Sequence, residues 1–230
     1  MCGRFNLIDS PQVQLLCALL GVPMPTDNFR ADIAPGGPIG IVLERRNAEG
    51  GKTRQVSEAI WWLLLDSTSL TPNYKYASFN SRSDKLDAPR SAAYTPFRES
   101  RCIIPASAFV EGLGDKKTYH KIELEDAAIA FGGVYKQYVN RETGESVLGA
   151  SIITLPPLIP QWQHIHPKSL PLMLDMNNKE LIDKWLDPGF DRVEEFAHAL
   201  EPRVTVPMKV TPIDRPSRWN PIADSFLIVA

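Results

Sequence analysis

The sequence predicts an α+β fold in which β-strands predominate. Its 20 prolines are spread along the chain, which suits many turns between strands better than long helices. Short apolar or alternating segments recur through the middle of the chain, whereas helical periodicity is confined to its two ends. With 230 residues, 43% of them apolar, the chain is long enough to enclose one sizeable core. We therefore expect a single domain over residues 1–230.

The first predicted element is a short amphipathic helix. Ser10 is a favoured N-cap residue, Pro11 suits the first helical position, and Gly21 is a favoured terminator. Between them the apolar residues recur at helical spacing, at Val13, Leu16, Cys17 and Leu20.

Strands are predicted through the middle of the chain, and helices return near its end. The segment from Thr71 to Pro96 lacks periodicity, and a long irregular stretch in a compact domain is more often functional than idle. The predicted strands are Ile39–Leu43, Ala59–Leu65, Arg101–Gly112, Thr118–Leu124, Ile129–Tyr138, Ser146–Thr154, Val204–Val210 and Phe226–Val229, with a hairpin loop over Arg45–Lys52. The predicted late helices carry Leu181, Ile182, Trp185 and Leu186, and then Val193, Phe196, Ala197 and Leu200.

Charge and cysteine content limit the classes of partner and compartment. The formal net charge of −2 argues against coating nucleic acid through bulk charge, so an anionic partner must meet a local basic patch. The three cysteines form no CxxC pair or metal-ligand spacing, and their odd number fits a reducing compartment. No secretion signal or 18-residue apolar run is found. We expect a cytoplasmic protein without a membrane span, a metal or a cofactor.

Cys2 directly follows the initiator methionine. Removal of Met1 would make Cys2 the first residue and give it a free amine and a thiol on adjacent carbons. The amine can condense with an aldehyde to an imine, and the thiol can then add to that imine to close a thiazolidine ring. An α-amine titrates at about 7.7 to 8.0, so a useful fraction is nucleophilic at neutral pH. The thiol, at about 8.5, needs only a modest local shift.

Several segments of the chain occur in the order found in one known family. They are Cys2-Gly3-Arg4-Phe5, Ala34-Pro35 after Phe29-Arg30, Trp61 with Leu63, Asn80-x-Arg82, Arg101-Cys102-x-x-Pro105 leading to Glu111, Phe131-x-Gly133, and the segment from His166 to Pro171. Together they span about three quarters of the chain. The chain therefore resembles the SRAP family, named for SOS response-associated peptidases.

The resemblance implies a mixed or antiparallel coiled sheet or barrel-like core with a few peripheral helices, and a basic groove beside Cys2. It also implies a lyase-like activity in which the mature Cys2 crosslinks to the ring-opened aldehyde of an abasic site in single-stranded DNA. By position, Asn80 would orient the sugar and the amine, and Glu111 would be the acidic group near the aminothiol. His166 would donate and accept protons in sugar ring opening. A histidine and a carboxylate can supply such proton transfers.

The same resemblance implies the contacts with DNA. The family's tryptophan after the glutamate is Gly112 here, and its Arg-Met-Pro is Ser169-Leu170-Pro171. Stacking of a base on an aromatic ring contributes about 1 to 3 kcal/mol, so another ring would have to compensate. The expected phosphate contacts are Arg4, Arg82 and Lys168, and the expected aromatic contacts are Trp61, Trp62 or Tyr74.

Other interpretations stay open from the sequence. Cys2 could be an ordinary buried cysteine, His164 competes with His166, and a retained Met1 would block the amine. One functional alternative is an N-terminal-nucleophile hydrolase or peptidase, including autoproteolysis. A second is a module that binds single-stranded DNA without covalent chemistry. The partner expected is single-stranded DNA containing abasic sites, bound by a monomer.

Overall fold

A computed structural model describes residues 2–23, 26–47, 50–157 and 161–229. These residues form 13 strands and three α-helices, as expected for a β-rich α+β domain. The strands are β1 (Phe5–Leu7), β2 (Arg30–Ile33), β3 (Pro38–Arg46), β4 (Lys52–Ile60), β5 (Asn80–Arg82), β6 (Arg101–Ala106), β7 (Ala108–Gly112), β8 (Tyr119–Leu124), β9 (Ile129–Val139), β10 (Ser146–Leu155), β11 (Leu170–Pro171), β12 (Met208–Ile213) and β13 (Phe226–Ile228). The helices are α1 (Pro11–Leu20), α2 (Tyr94–Glu99) and α3 (Lys179–Leu186). Of the helices described, none has the length and apolarity to cross a membrane.

Five strands close into a barrel, which confirms the predicted barrel-like core. The strands follow the order β10, β4, β3, β6 and β9, and β9 pairs with β10 again to complete the ring. All neighbours are antiparallel except β4 and β10, which meet in parallel at Ile60 and Gly149. β5, which begins at Asn80, attaches to β10 outside this ring. So does β11, which follows the irregular segment that carries His166.

A second sheet lies beside the barrel in the order β13, β12, β8, β7, β1 and β2. The chain passes from the barrel into this sheet at Ser107, between β6 and β7, so the single strand predicted over Arg101–Gly112 is two strands. The break occurs because the Ser107 hydroxyl accepts a hydrogen bond from the Ile8 amide at 2.9 Å, and the Ser107 amide donates to Asn6. Phe109 on β7 packs edge to face on Phe131 of the barrel, with ring centroids 5.6 Å apart.

Two other sequence predictions are corrected by the structure. The predicted strand Ala59–Leu65 ends at Ile60, because the Trp62 amide turns back to the Ile60 carbonyl at 2.6 Å. The apolar run that follows is buried without being a strand. The predicted helix over Val193–Leu200 is reduced to a single 3-10 turn at Val193–Phe196, whereas α2 was not predicted at all.

The helix predicted after Ser10 is confirmed. Ser10 Oγ accepts a hydrogen bond from the Val13 amide, and Gly21 ends the helix in the left-handed conformation with φ 71°. In the predicted hairpin loop, β3 continues to Arg46 and β4 begins at Lys52. Ala48 and Glu49 of that loop lie outside the described residues.

Arg101 joins both later helices to the barrel. Its guanidinium, only 3% exposed as a residue, donates to five backbone carbonyl oxygens at 2.7–2.9 Å. They belong to Phe97, Arg98, Trp185, Asp187 and Phe190, at the carboxyl-terminal ends of α2 and α3 and just beyond. A cation is favourable there because helix carbonyls at this end lack partners and carry partial negative charge.

We predict that Arg101→Lys lowers the free energy of unfolding by about 3 kcal/mol, although it keeps the charge. An ammonium cannot reach five carbonyl oxygens, and those left over would be buried without donors. Arg46→Lys, at an arginine whose side chain is 54% exposed, is the matched control and should change stability little. Equal denaturation midpoints for the two variants would contradict this role of Arg101.

Candidate functional site

The start of the chain is fixed by its pairing with β7. Phe5 lies opposite Phe109 and Asn6 opposite Ala108, and the Val110 amide continues this ladder by donating to the Arg4 carbonyl at 2.9 Å. The same register carries the residues before Arg4 toward the end of β7. The ladder therefore brings the beginning of the chain to the carboxyl-terminal end of that strand.

Asn80 holds Cys2 from the other side. Its side-chain nitrogen donates to the Cys2 carbonyl at 2.7 Å. Asn80 is the first residue of β5, which pairs with the barrel strand β10 at Ile152. Cys2 is thus tied to the second sheet through its neighbours and to the barrel through Asn80.

The Cys2 thiol is buried and neutral. The residue has no exposed surface, and Sγ lies 3.9 Å from the Arg4 carbonyl oxygen. Burial, and then the charge of Glu111, raise the pKa of the Cys2 thiol well above its ordinary value. From the sequence, the thiol was expected to need only a modest local shift to ionise, whereas burial shifts its pKa in the opposite direction. The thiol requires a neighbouring base to take its proton.

Glu111 is a buried carboxyl next to Cys2. It lies on β7 and is 2% exposed. Burial raises the pKa of Glu111 from its ordinary value of 4.5 to about 7. Near neutral pH such a carboxyl can both accept and donate a proton, as a general acid–base group must.

His166 lies beside Glu111 in a defined tautomer. Its Nδ1 is 2.7 Å from the Gly112 carbonyl oxygen and 3.5 Å from Glu111 Oε2. Because a carbonyl oxygen only accepts, Nδ1 carries the proton and Nε2 of the neutral ring carries the lone pair. Burial lowers the pKa of His166, so the neutral ring predominates at pH 7. His164, the competing candidate, is exposed. The structure thus brings Cys2, Asn80, Glu111 and His166 together.

Two of the predicted basic residues, Arg82 and Lys168, line a pocket of about 380 Å³. The Arg82 fork is bonded to Asp84 at 2.9 and 2.7 Å, and Lys168 is exposed. The same pocket is lined by Thr154 and Ser169, which are 2% and 7% exposed. Within the described part of the chain, neither hydroxyl has a hydrogen-bond partner. Sequence reasoning missed both hydroxyls because nothing in a strand-end threonine or a loop serine marks it as unpaired.

The third predicted basic residue, Arg4, lies elsewhere. It lines a second pocket, beside Glu111 and His166, and its Nη1 contacts Asp32 Oδ2 at 2.6 Å.

Trp61 and Trp62 do not present a free ring to solvent. They are 0% and 6% exposed, and each indole nitrogen donates to a backbone carbonyl, of Phe79 and Asn73 respectively. Their burial argues against the expectation that a DNA base stacks on them. Tyr74, 73% exposed, packs edge to face on Trp62 at 5.1 Å and is accessible.

Metal-ligating residues do not cluster in the described ranges. There, no group of three or more histidine, cysteine, aspartate or glutamate side chains could hold a metal ion.

Comparison with known proteins places the chain among relatives. Residues 1–216 match the sequence model of the family described as "SOS response associated peptidase (SRAP)". The chain is 28% identical over 195 residues to "Abasic site processing protein YobE" of Bacillus subtilis, covering 82% of this chain and 83% of that protein. It is 28% identical over 209 residues to "Abasic site processing protein YoqW" of the same organism, covering 88% and 87%. A solved structure of a Bordetella bronchiseptica protein shares the fold, with a TM-score of 0.69, 16% identity, and coverage of 93% of this chain and 100% of that one.

The raised pKa of Glu111 predicts a stability signature. A carboxyl whose pKa is raised by folding contributes its full stability below about pH 4.5 and loses that contribution as the pH rises through about 7. Glu111→Gln stays neutral throughout. Its advantage in free energy of unfolding over the unmutated protein should grow between these pH values, by about 3 kcal/mol, and then level off.

Denaturant titrations at a series of pH values measure this difference. Glu142→Gln, at an exposed residue, is the matched control and should show no such trend. A difference between Glu111→Gln and the unmutated protein that does not change with pH would show that Glu111 is not a destabilised carboxylate at neutral pH.

Proposed function

Since this chain belongs to the SRAP family, we propose that it processes abasic sites in single-stranded DNA by forming a thiazolidine crosslink through Cys2. The observation that carries the proposal is the site itself: Cys2 lies beside a buried carboxyl whose pKa is about 7, and a neutral histidine lies 3.5 Å from that carboxyl. The names of its relatives, abasic site processing proteins, support the choice of substrate. We also propose that the protein acts as a monomer in the cytoplasm and needs no cofactor.

The chemistry balances without an oxidant or a reductant. Removal of Met1, which lies outside the described residues, frees the Cys2 amine. That amine attacks the aldehyde of the ring-opened sugar, and water leaves as the imine forms. The thiol sulfur then bonds to the imine carbon, and the thiol proton is transferred to the imine nitrogen. The product contains both the nitrogen and the sulfur of one residue.

Glu111 and His166 supply the proton transfers in this scheme. Because burial keeps the Cys2 thiol protonated, the Glu111 carboxylate accepts its proton as sulfur attacks. The lone pair on His166 Nε2 serves the opening of the sugar ring, since Nδ1 is engaged with Gly112. General acid–base assistance of this kind is worth about 10² to 10⁴ in rate. Asn80, bonded to the Cys2 carbonyl, holds the terminal residue in place.

The pocket of Arg82, Lys168, Thr154 and Ser169 is suited to a DNA phosphate. Two cations supply charge, and two buried hydroxyls without partners among the described residues supply donors. The pairing of Arg82 with Asp84 is exposed to solvent and contributes little, so a phosphate can replace it. Arg4 is proposed as a further phosphate contact, and Tyr74 as a stacking surface.

A cysteine, a histidine and a carboxyl in one site also fit an N-terminal-nucleophile peptidase, as the family description suggests. The two mechanisms differ in what they require. A thiazolidine requires the free amine of Cys2 as a nucleophile that is bonded to the product, whereas acyl attack by the thiol uses that amine at most as a base.

We predict that the unmutated protein forms a heat-stable adduct with an abasic oligonucleotide, detected by intact mass spectrometry. Cys2→Ser keeps the amine but supplies a poorer second nucleophile, so the stable adduct should largely disappear while an imine remains trappable by borohydride. A non-cleavable residue added before Cys2 should abolish both products, because the amine is then in a peptide bond.

The alternatives give different results in the same experiment. A peptidase cleaves peptide without forming an adduct, and it tolerates the added residue if it has no need of the free amine and the site is not blocked sterically. A simple binding module tolerates either change. A heat-stable crosslink formed by the extended protein would exclude the thiazolidine mechanism.

Removing a charge from the phosphate pocket and removing a hydroxyl from it should have different effects on DNA binding. Lys168→Ala should flatten the plot of log affinity for single-stranded DNA against log salt by about 0.7, the slope for one phosphate on a single strand. Thr154→Val should weaken binding without changing the slope, since it removes a donor and no charge. Arg192→Ala, at an arginine 64% exposed that lines neither pocket, is the control. An unchanged slope and affinity for Lys168→Ala would remove this pocket from the DNA path.

A further inference from the structure

A second pocket of about 300 Å³ adjoins Glu111 and His166 and shares no lining residue with the phosphate pocket. Besides those two residues it is lined by Arg4, Gly112, Lys116 and Tyr119, among others. Its volume is at the lower limit for small-ligand sites, of about 300 to 1,000 Å³. Nothing in the proposed crosslinking chemistry uses Tyr119 or Lys116.

The wall of this pocket is an aromatic ring lying against a bare backbone. Tyr119 is the cross-strand partner of Gly112 in the β7–β8 ladder. A Cβ atom on residue 112 would lie 2.9 Å from Tyr119 Cδ1 and 3.1 Å from Cε1, closer than such atoms pack. Only glycine therefore lets the ring occupy this position. The ring is half-buried, because it lies over Gly112 and also borders the pocket.

Two cations border the same pocket. Lys116 is exposed and forms no ion pair with any described residue, whereas Arg4 pairs with Asp32. Lys116 lies in a fixed turn, since the Asp115 carboxylate accepts hydrogen bonds from the Thr118 and Lys117 amides and from the Thr118 hydroxyl. These backbone and hydroxyl bonds lower the pKa of Asp115 to about 2. The carboxylate that closes the turn is therefore ionised at neutral pH. The lysine is thus presented at a defined place beside the ring.

We propose that this pocket is a nucleotide subsite, in which the base next to the abasic site stacks on Tyr119 and its phosphate lies near Arg4 and Lys116. The inference rests on the proposed function, which places the abasic sugar at Glu111 and His166. An aromatic face binds any base, and nearby cations bind its phosphate, so the subsite selects for a neighbouring base without selecting a sequence.

The test measures non-covalent binding by fluorescence anisotropy, with short single-stranded oligonucleotides that carry tetrahydrofuran, a stable abasic analogue. The neighbour on the 5′ or the 3′ side is either thymidine or a second tetrahydrofuran. For the unmutated protein, removing the neighbouring base on one side should weaken binding roughly tenfold. Tyr119→Ala should bind the complete oligonucleotide roughly tenfold more weakly than the unmutated protein does. Removing the neighbouring base should not weaken the binding of this variant further. Tyr119→Phe should bind like the unmutated protein.

Tyr119→Leu keeps apolar contact with Gly112 without an aromatic face, and it serves as the test if the alanine variant does not fold. Tyr76→Ala, at an exposed tyrosine that borders neither pocket, is the matched control. The subsite would be overturned if removing the neighbouring base weakened binding equally in the unmutated protein and in the Tyr119 variant. It would also be overturned if the unmutated protein lost no affinity when the base was removed on either the 5′ or the 3′ side.

A second measurement distinguishes failure of the crosslinking proposal from failure of the nucleotide subsite. Adducts with a natural abasic oligonucleotide are scored by mass at saturating protein, where a binding defect no longer matters. If no adduct forms but removal of the neighbouring base causes a Tyr119-dependent loss of affinity, the subsite is supported and the covalent mechanism is excluded. If the adduct forms without that loss of affinity, the mechanism is supported and the subsite is excluded.

Discussion

The hydrogen bond from Asn80 to the Cys2 carbonyl, together with the short β1–β7 ladder, is the constraint on which the site depends. A chain end is ordinarily among the least ordered parts of a domain unless something ties it down. Here the first strand is the fifth of six in a sheet, and Phe5 packs edge to face on Trp61 at 4.8 Å and on Phe131 at 5.9 Å. Cys2 is therefore positioned by contacts with both the barrel and the second sheet.

Burial has one electrostatic consequence for all three titratable groups at the site. It raises the pKa of Cys2 and Glu111 and lowers that of His166, so each group favours its uncharged form. Among them Glu111, with a pKa of about 7, can both take up and give back a proton near neutral pH, which suits a sequence of proton transfers. The same burial destabilises the carboxylate form of Glu111 above pH 7. The site thus gives up some folding stability in exchange for a carboxyl that titrates near neutral pH.

Sequence reasoning predicted the elements that local physics determines. Alternation located most barrel strands, and capping at Ser10 and Gly21 located α1. It could not locate the break at Ser107, since that depends on a hydrogen bond to Ile8, 99 residues away in sequence. The apolar run at Trp61 and Trp62 was assigned to a strand, because a buried loop and a buried strand have the same composition. The pairing of Gly112 with Tyr119 and the hydroxyls of Thr154 and Ser169 depend on tertiary contacts, so no sequence pattern marks them.

The central claim is that the amine and the thiol of one terminal residue react together. The most direct measurement is tandem mass spectrometry of the N-terminal peptide, after incubation with an abasic oligonucleotide, nuclease digestion and treatment with a thiol-alkylating reagent. We expect a peptide that begins at Cys2, carries the sugar remnant on that residue and resists alkylation there. Three results would contradict this mechanism. They are a Cys2 that carries no sugar and reacts with the alkylating reagent, a peptide that retains Met1, and a sugar remnant on another residue.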